Sequence, residues 1–527
     1  MSTADVVSRS LTRGWVLAAA LSLAFFWQLG SLPLFDVDEG AFSEATREML
    51  ESGNFVSPTQ DGEPRHDKPV LIYWLQAASV TALGLDEIAL RLPSAIAAVL
   101  WALVILHFVR RRLDTDTAAV AALVMALGLQ VGLIGKGAIA DAVLNLLLVL
   151  TFFEIHDYAS DGRRGTLLRV YLWMGLAFLT KGPVAVALPF VASLIWLVSL
   201  GRWRDWLGAV FAPAGWAVFL AIVLPWHVAV YLDQGTAFFE GFYLKHNVGR
   251  FSTTMEGHGG HVWYYLVAAP LVVMPFAGWF VSLFAHLRED WADPLRRFLW
   301  IWFAVVFALF SFSSTQLPHY LLYGSTPLFV LMAMRRDDLR SRWLAYFPPL
   351  LLLGALALLP ELLGVAARQA SRPHEQAVLA AGIAATSDAA YRIGAIAAIA
   401  AVAGLASWRG LAPWRGLVLV GFVQLLVVSG LVLPRYAAVV HAPVKEAAAV
   451  ATRLGGPVVA YRIDMPSFSV YRNAVTPSRL PRPGDIAFTR VDRLRDFDAK
   501  LPGVPREEVY RRAAVVLVRF LPAPAAG

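Results

Sequence analysis

The residues able to do chemistry in this chain collect in the polar segments that separate its apolar stretches. Residues 34–68 (LFDVDEGAFSEATREMLESGNFVSPTQDGEPRHDK) hold nine acids against three Arg or Lys, among them Asp36, Asp38, Glu39, Asp67 and Lys68. Residues 231–260 mix aromatics with Lys245, His246, Asn247, Arg250 and His258. A third segment, Ser311 to Tyr320, adds Gln316, His319 and Tyr320, and two short turns add Lys136 with Asp141 (GKGAIAD) and Lys181 (TKGP). Lys and Arg are the donors that hold phosphate oxygens, and positioned carboxylates move protons. Taken singly, an exposed loop charge is usually only solvated, and Trp or Tyr at the end of an apolar run is an ordinary interfacial residue. Acids, lysines, an arginine and histidines recurring in successive loops on one side of the chain imply more: a wet cavity at a membrane surface. Such a cavity suits a substrate with an anionic head and a long apolar tail.

The elements that must carry these loops follow from composition. The chain has 527 residues, 58% hydrophobic and only 16% charged, with a mean hydropathy of +0.59. Soluble domains run at about 45–50% apolar and about 25% charged, and a single core stops growing at roughly 250–300 residues. A water-soluble enzyme, a disordered chain and a fibrous repeat are excluded; a polytopic helical membrane protein is expected. With no cysteine, disulfides, thiolate nucleophiles and thiolate zinc sites are excluded. Apolar stretches are expected to span near 15–33, 88–109, 117–134, 140–157, 167–180, 183–200, 207–230, 261–285, 297–313, 319–334, 343–366, 390–407 and 412–434. Arg110 to Arg112, Arg163 and Arg164, Arg202 and Arg204, Arg288 and Arg296, Arg335 and Arg336, and Arg409 and Arg415 each follow an even-numbered span. The positive-inside rule then puts the N-terminus in the cytoplasm, the C-terminus outside, and the polar loops on the outer face. Residues 69–84 are apolar but too short to cross comfortably and are expected to form an interfacial or re-entrant helix. Asp141 falls inside the fourth span and should face protein or water.

Within the first loop, Asp36, Asp38 or Ser43 could cap a helix running towards Leu50, with Gly53 as its stop. Phe55 to Thr59 followed by Asp61-Gly62 predicts a short strand entering a tight turn. Residues 436–527 differ in composition, rich in Arg, Asp and Pro. Strand-like runs at 457–463, 485–490 and 513–520 alternate with helix-like EAAAVATRLG and VDRLRDFDAK, which predicts a small α/β domain outside the membrane, read as a stabilising cap without chemistry.

The run DEGAFSEATREMLESGNFVSPTQDGEPRHDKPVLIYWL resembles the first outer loop of GT-C glycosyltransferases that use polyprenyl-phosphate sugars, such as the lipid A aminoarabinose transferases and, more distantly, the protein O-mannosyltransferases. The likeness continues in chain order through EIALRLPSA, AIADAVLNLLL, FLTKGPVAVALP, the 225–266 segment and FSSTQLPHYLLYGSTPL, covering roughly residues 15–335. It implies a GT-C membrane domain over 1–435, with the outer loop 34–87 carrying interfacial helices, followed by the small domain 436–527. It further implies Asp38 and Glu39 at the reacting centre, with Asp141 facing the same cavity. Lys68 and Arg250 would contact the lipid-linked phosphate, with Lys181 and Tyr320 on the donor. Two departures stand out: Asp67 replaces the usual Glu before the lysine, and Thr315-Gln316 replaces a frequent basic residue.

The activity implied is transfer of a monosaccharide from a polyprenyl-phosphate donor to an envelope acceptor such as lipid A, with inversion, at the periplasmic face of a bacterial inner membrane. Alternatives are a protein O-glycosyltransferase and a non-enzymatic lipid or sugar-lipid transporter. No G-x-G-x-x-G or Walker loop is present, which favours a lipid-linked donor over a nucleotide sugar. No cofactor is expected to be required, although Asp67 and His246 could share a divalent metal ion. The expected partners are the lipid-linked donor, a glycolipid or protein acceptor and membrane lipids, without nucleic acid.

Overall fold

The structure, a computed structural model, describes residues 11–249 and 261–522. Helices dominate, and six of them are long and apolar enough to cross a membrane: Glu87–Arg112, Asp141–Asp161, Pro213–Gln234, Pro294–Ser311, Ala389–Ser407 and Pro413–Val440. Two further pairs reach that length only together. Tyr264–Val272 with Ala277–Asp290 bends by 119°, and Arg342–Ala357 with Leu359–Gln369 by 60°. The spans expected at 261–285 and 343–366 are therefore broken. Pro275 and Pro360 supply the reason, since proline removes an amide donor and crowds the preceding turn. The segment 319–334 is likewise not one helix but a 3₁₀ turn, Pro318–Gly324, followed by Ser325–Met334. Gly14–Phe25, Leu71–Leu83, Thr115–Leu127 and Val184–Ser199 are shorter apolar helices. The thirteen expected stretches are thus helical, but by length and composition six to eight qualify as spans.

Burial separates centre from rim. Every residue of Thr115–Leu127 from Thr117 onward is buried, so this helix is enclosed by others. Pro213–Gln234 instead exposes Leu220, Leu224, Val228 and Leu232, an i, i+4 stripe of the kind that faces lipid. Asp86 and Asp114 open the helices Glu87–Arg112 and Thr115–Leu127 by accepting the amides of Ala89 and Thr117. Arg110, Arg111 and Arg112 close the first of these, where the helix dipole favours cations.

The first polar loop folds as a shelf. Its helix is Asp38–Ser52, stopped by Gly53. None of the three expected capping side chains caps it; the Phe35 amide is taken by the Glu39 carboxylate instead, at 2.7 Å. The strand is shorter than expected, Thr59–Gln60, and pairs with Glu63–Pro64 across the Asp61-Gly62 turn. Leu71–Leu83 is helical and, at 13 residues, short.

The C-terminal unit is a four-stranded sheet in the order Val458–Ala460, Ile486–Arg490, Val515–Phe520, Arg506–Arg512, with only the first pair parallel. Period-two alternation gives it two faces. Val458, Ile486, Phe488, Val515 and Leu517 pack against helix Ala442–Leu454, and Val459, Ala487, Val516 and Val518 pack around Phe497 of helix Leu494–Lys500. The membrane helix Pro413–Val440 runs to within two residues of Ala442–Leu454, so no linker separates the units at 435/436. Helix Ser467–Arg472 was not predicted, and neither was strand Arg506–Arg512, whose charged sequence REEVYRR hides an edge strand.

Candidate functional site

A cavity of about 980 Å³ lies where the polar loops meet, and Asp38, Asp67, Lys68, Asp141, Lys181, His246 and Tyr320 all line it. Residues separated by nearly three hundred positions in sequence converge there. Each is delivered by a helix end or a turn, where side chains can point into water while the adjoining helix stays in apolar surroundings.

Asp38 stands at the first turn of the shelf helix and is exposed to the cavity. Glu39, one residue on, points the other way. Only 5% exposed, it accepts from Arg91 Nε and Nη2 at 2.9 and 2.7 Å, and from the amides of Phe35 and Ala138 at 2.7 and 2.6 Å. Burial opposes its charge, but Arg91 and these amides more than offset that, so Glu39 stays ionised below the usual carboxylate range. Arg91 also donates to the carbonyls of Leu29, Leu32 and Pro33. This two-sided clamp fixes the helix that aims Asp38; Glu39 itself does not line the central cavity.

Asp141 opens helix Asp141–Asp161, and Lys181 closes helix Arg164–Lys181. Lys181 Nζ lies 2.7 Å from Asp141 Oδ1 and donates to the Tyr323 hydroxyl at 2.6 Å, while Tyr323 donates to the same carboxylate at 2.5 Å. His319 Nε2 approaches it at 3.8 Å. Gly182 makes the lysine's position possible: its φ is +75°, and a Cβ there would stand 2.4 Å from the Phe242 ring. Tyr320, buried in the cavity wall, carries Lys181 Nζ 5.2 Å over its ring.

Asp67 and Lys68 follow the shelf's short hairpin. Asp67 meets His246 Nε2 at 2.9 Å and Arg65 at 3.3 Å. Burial raises its pKa, but the His246 contact and the charges of Arg65 and Lys68 outweigh that and hold it well below the carboxylate norm. Asp67 and His246 face each other directly, and among the described residues no group of three His, Cys, Asp or Glu that could hold an ion is found. Arg250 lies outside the described residues.

Beside the polar cavity is an apolar pocket of about 330 Å³ that shares Asp67, Lys68, Lys181, His246 and Tyr320 with it and continues along Val184, Phe242 and Leu309. The site is therefore amphiphilic in shape. Sequence reasoning missed Arg65, Tyr323 and Asp464, the last brought to the cavity by the C-terminal unit. Only the basic and phenolic character of Arg65 and Tyr323, within motifs already singled out, could have signalled them; Asp464 carried no signal.

The C-terminal unit reaches the shelf through helix Ser467–Arg472. Ser467 donates to Asp36 from its amide, at 3.0 Å, and from its hydroxyl, and Ser469 donates to Asp61 at 2.6 Å. Tyr471 accepts from the Leu34 amide at 2.7 Å and donates to Glu87 at 3.0 Å. Gly40 permits this closeness, since a Cβ there would fall 1.9 Å from Asp36 Oδ1 and 2.6 Å from the Ser467 nitrogen. Enclosure pushes the Asp36 carboxyl up to about 7, despite the two hydrogen bonds from Ser467.

Comparison with known proteins agrees with the motifs. Residues 67–228 match the dolichyl-phosphate-mannose-protein mannosyltransferase family. The undecaprenyl phosphate-alpha-4-amino-4-deoxy-L-arabinose arabinosyl transferase of Edwardsiella ictaluri (strain 93-146) is 30% identical over 61% of this chain and 59% of its own length. Its namesake in Shewanella sediminis (strain HAW-EB3) is 29% identical over 59% and 57%. The chain thus spans about three fifths of the length of these curated relatives. The crystal structure of ArnT from Cupriavidus metallidurans bound to undecaprenyl phosphate superposes with a TM-score of 0.79 at 19% identity, covering 96% of this chain and 98% of that one. The two share a fold.

Proposed function

We propose that this chain is a multi-pass membrane glycosyltransferase that moves a monosaccharide from a polyprenyl-phosphate donor to an envelope acceptor, with lipid A ahead of other glycolipids and of protein hydroxyls. The reading places it in a bacterial cytoplasmic membrane with thirteen crossings, its site facing the periplasm, as the arginine distribution favours. The observation that carries it is the joining of a polar cavity, which holds Asp38, Lys68 and Lys181, to an apolar pocket. That pairing suits a phosphate head on a long hydrocarbon tail.

In the reaction the acceptor oxygen attacks the anomeric carbon as the bond from that carbon to the phosphate oxygen breaks. The polyprenyl phosphate leaves with the electron pair. Lys68, and Arg250 on the strength of its motif, hold the charge that develops on the phosphate oxygens, as preorganised donors do elsewhere. When the acceptor is a hydroxyl, Asp38 takes its proton; when it is a phosphate, no proton has to move. A single displacement inverts the anomeric centre. Lys181, paired with Asp141 and bonded to Tyr323, gives the cavity a fixed polar wall.

The test is reconstituted protein with radiolabelled undecaprenyl-phosphate aminoarabinose and lipid A. Asp38→Asn should lower kcat by about 10²–10⁴ for a hydroxyl acceptor, and Lys68→Gln should weaken donor binding by about 10- to 100-fold. Movement of label between leaflets without covalent transfer would make the protein a transporter instead.

A further inference from the structure

A second pocket, of about 290 Å³, adjoins the polar cavity and shares no lining residue with the apolar pocket assigned to the donor. The two meet at Asp38 and Ile139, which line both. Leu29, Leu32, Phe35, Leu433 and Tyr436 make its walls largely apolar, and it lies between the turn after the first helix and the outer end of Pro413–Val440. One cation stands in it without an acid of its own: Lys136, whose Nζ donates to the Ser429 hydroxyl at 3.0 Å.

The other charges that line it are Asp36, Asp38, Glu39 and Arg91, and Asp38 stands at its junction with the polar cavity. Glu39 and Arg91 neutralise each other, and Asp36 accepts from Ser467. Among the described residues no carboxylate is ion-paired with Lys136. An ammonium enclosed by apolar walls is costly unless an anion meets it, and the pocket that would hold that anion opens at Asp38 onto the polar cavity.

We propose that this pocket is the acceptor subsite, and that it takes a lipid-borne phosphate monoester: the phosphate meets Lys136, and an acyl chain lies along Leu29, Leu32 and Leu433. This rests on the glycosyltransferase reading above. An attacking phosphate oxygen held there forms the new bond to the anomeric carbon. Lys136 offsets the repulsion between that phosphate and the Asp38 carboxylate, which would otherwise disfavour bringing the two together. Donor and acceptor thus reach the polar cavity from separate pockets.

Binding and transfer are measured separately on the full-length protein in nanodiscs. Binding of fluorescent bis-phosphorylated lipid A should weaken by about tenfold or more in Lys136→Gln, while Lys136→Arg stays close to wild type. Undecaprenyl phosphate binding should be unchanged in Lys136→Gln and weakened in Lys68→Gln. Leu433→Trp, which narrows the apolar side without altering charge, should weaken lipid A binding independently. Equal lipid A affinity in Lys136→Gln and wild type, or a loss confined to undecaprenyl phosphate, overturns the assignment. Absence of covalent transfer by a wild-type protein that still binds lipid A through Lys136 would overturn the glycosyltransferase reading and leave the pocket as a lipid-phosphate binding site only.

Discussion

Lys136 titrates in a useful range because of where it sits. Burial among apolar side chains, helped by the charge of Arg91, lowers it to about 8. Asp36, Asp38, Glu39 and Arg91 line the same pocket; of the carboxylates, Glu39 is held by Arg91 and Asp36 by Ser467. The protonated form is the one that attracts a phosphate, so acceptor kcat/KM should fall as pH rises through about 8 in the wild type. In Lys136→Arg, whose guanidinium stays charged, that fall should vanish. A pH profile identical in the two proteins would assign the ionisation to another group. Asp38 and Lys68, which line the cavity, were legible as polar loop residues, whereas the different directions of Asp38 and Glu39 were not. Adjacent residues on a helix diverge by about 100°, and which of them meets Arg91 depends on where a different helix packs.

At the scale of elements, the Glu39–Arg91 clamp joins the shelf helix to Glu87–Arg112 and to the turn at Leu29 to Pro33. Removing one partner leaves a buried charge uncompensated, at a cost of about 3–5 kcal/mol. Arg91→Met and Glu39→Gln should each lower thermal stability markedly, and the double variant should recover part of the loss. Simple additivity of the two, measured by thermal unfolding in detergent, would show that they do not interact. The helix Asp38–Ser52 and the hairpin turn at Asp61-Gly62 were foreseeable from local signals. The breaks at Pro275 and Pro360 were not read, because hydropathy windows register apolar character and ignore the missing amide.

For the whole molecule, the contact that joins the C-terminal unit to the shelf is sensitive to pH. Asp36 is at about 7 in the folded chain against an ordinary 3.8, so the folded state binds the proton more tightly than the unfolded one. By linkage its contribution is fully present below about 3.8 and is lost progressively as pH rises to about 7. Hydrogen exchange of residues 464–472, corrected for intrinsic rates, should be faster at pH 8 than at pH 6, and Asp36→Asn should flatten the difference. An unchanged pH dependence in that variant would remove Asp36 as the cause.

Composition alone was enough to require a helical membrane protein, because so much apolar surface in so long a chain has no other way to leave water. Loop chemistry was enough to mark the polar segments between apolar helices as the place to look for a site, since charges cannot lie elsewhere at low cost. Which acids face the cavity, which are spent on internal pairing, and that the terminal unit adds Asp464 to the wall depended on packing between elements far apart in sequence. Side-chain type is a local property; the direction a side chain points, and the partner it meets, are set by neighbours that only the folded chain brings near.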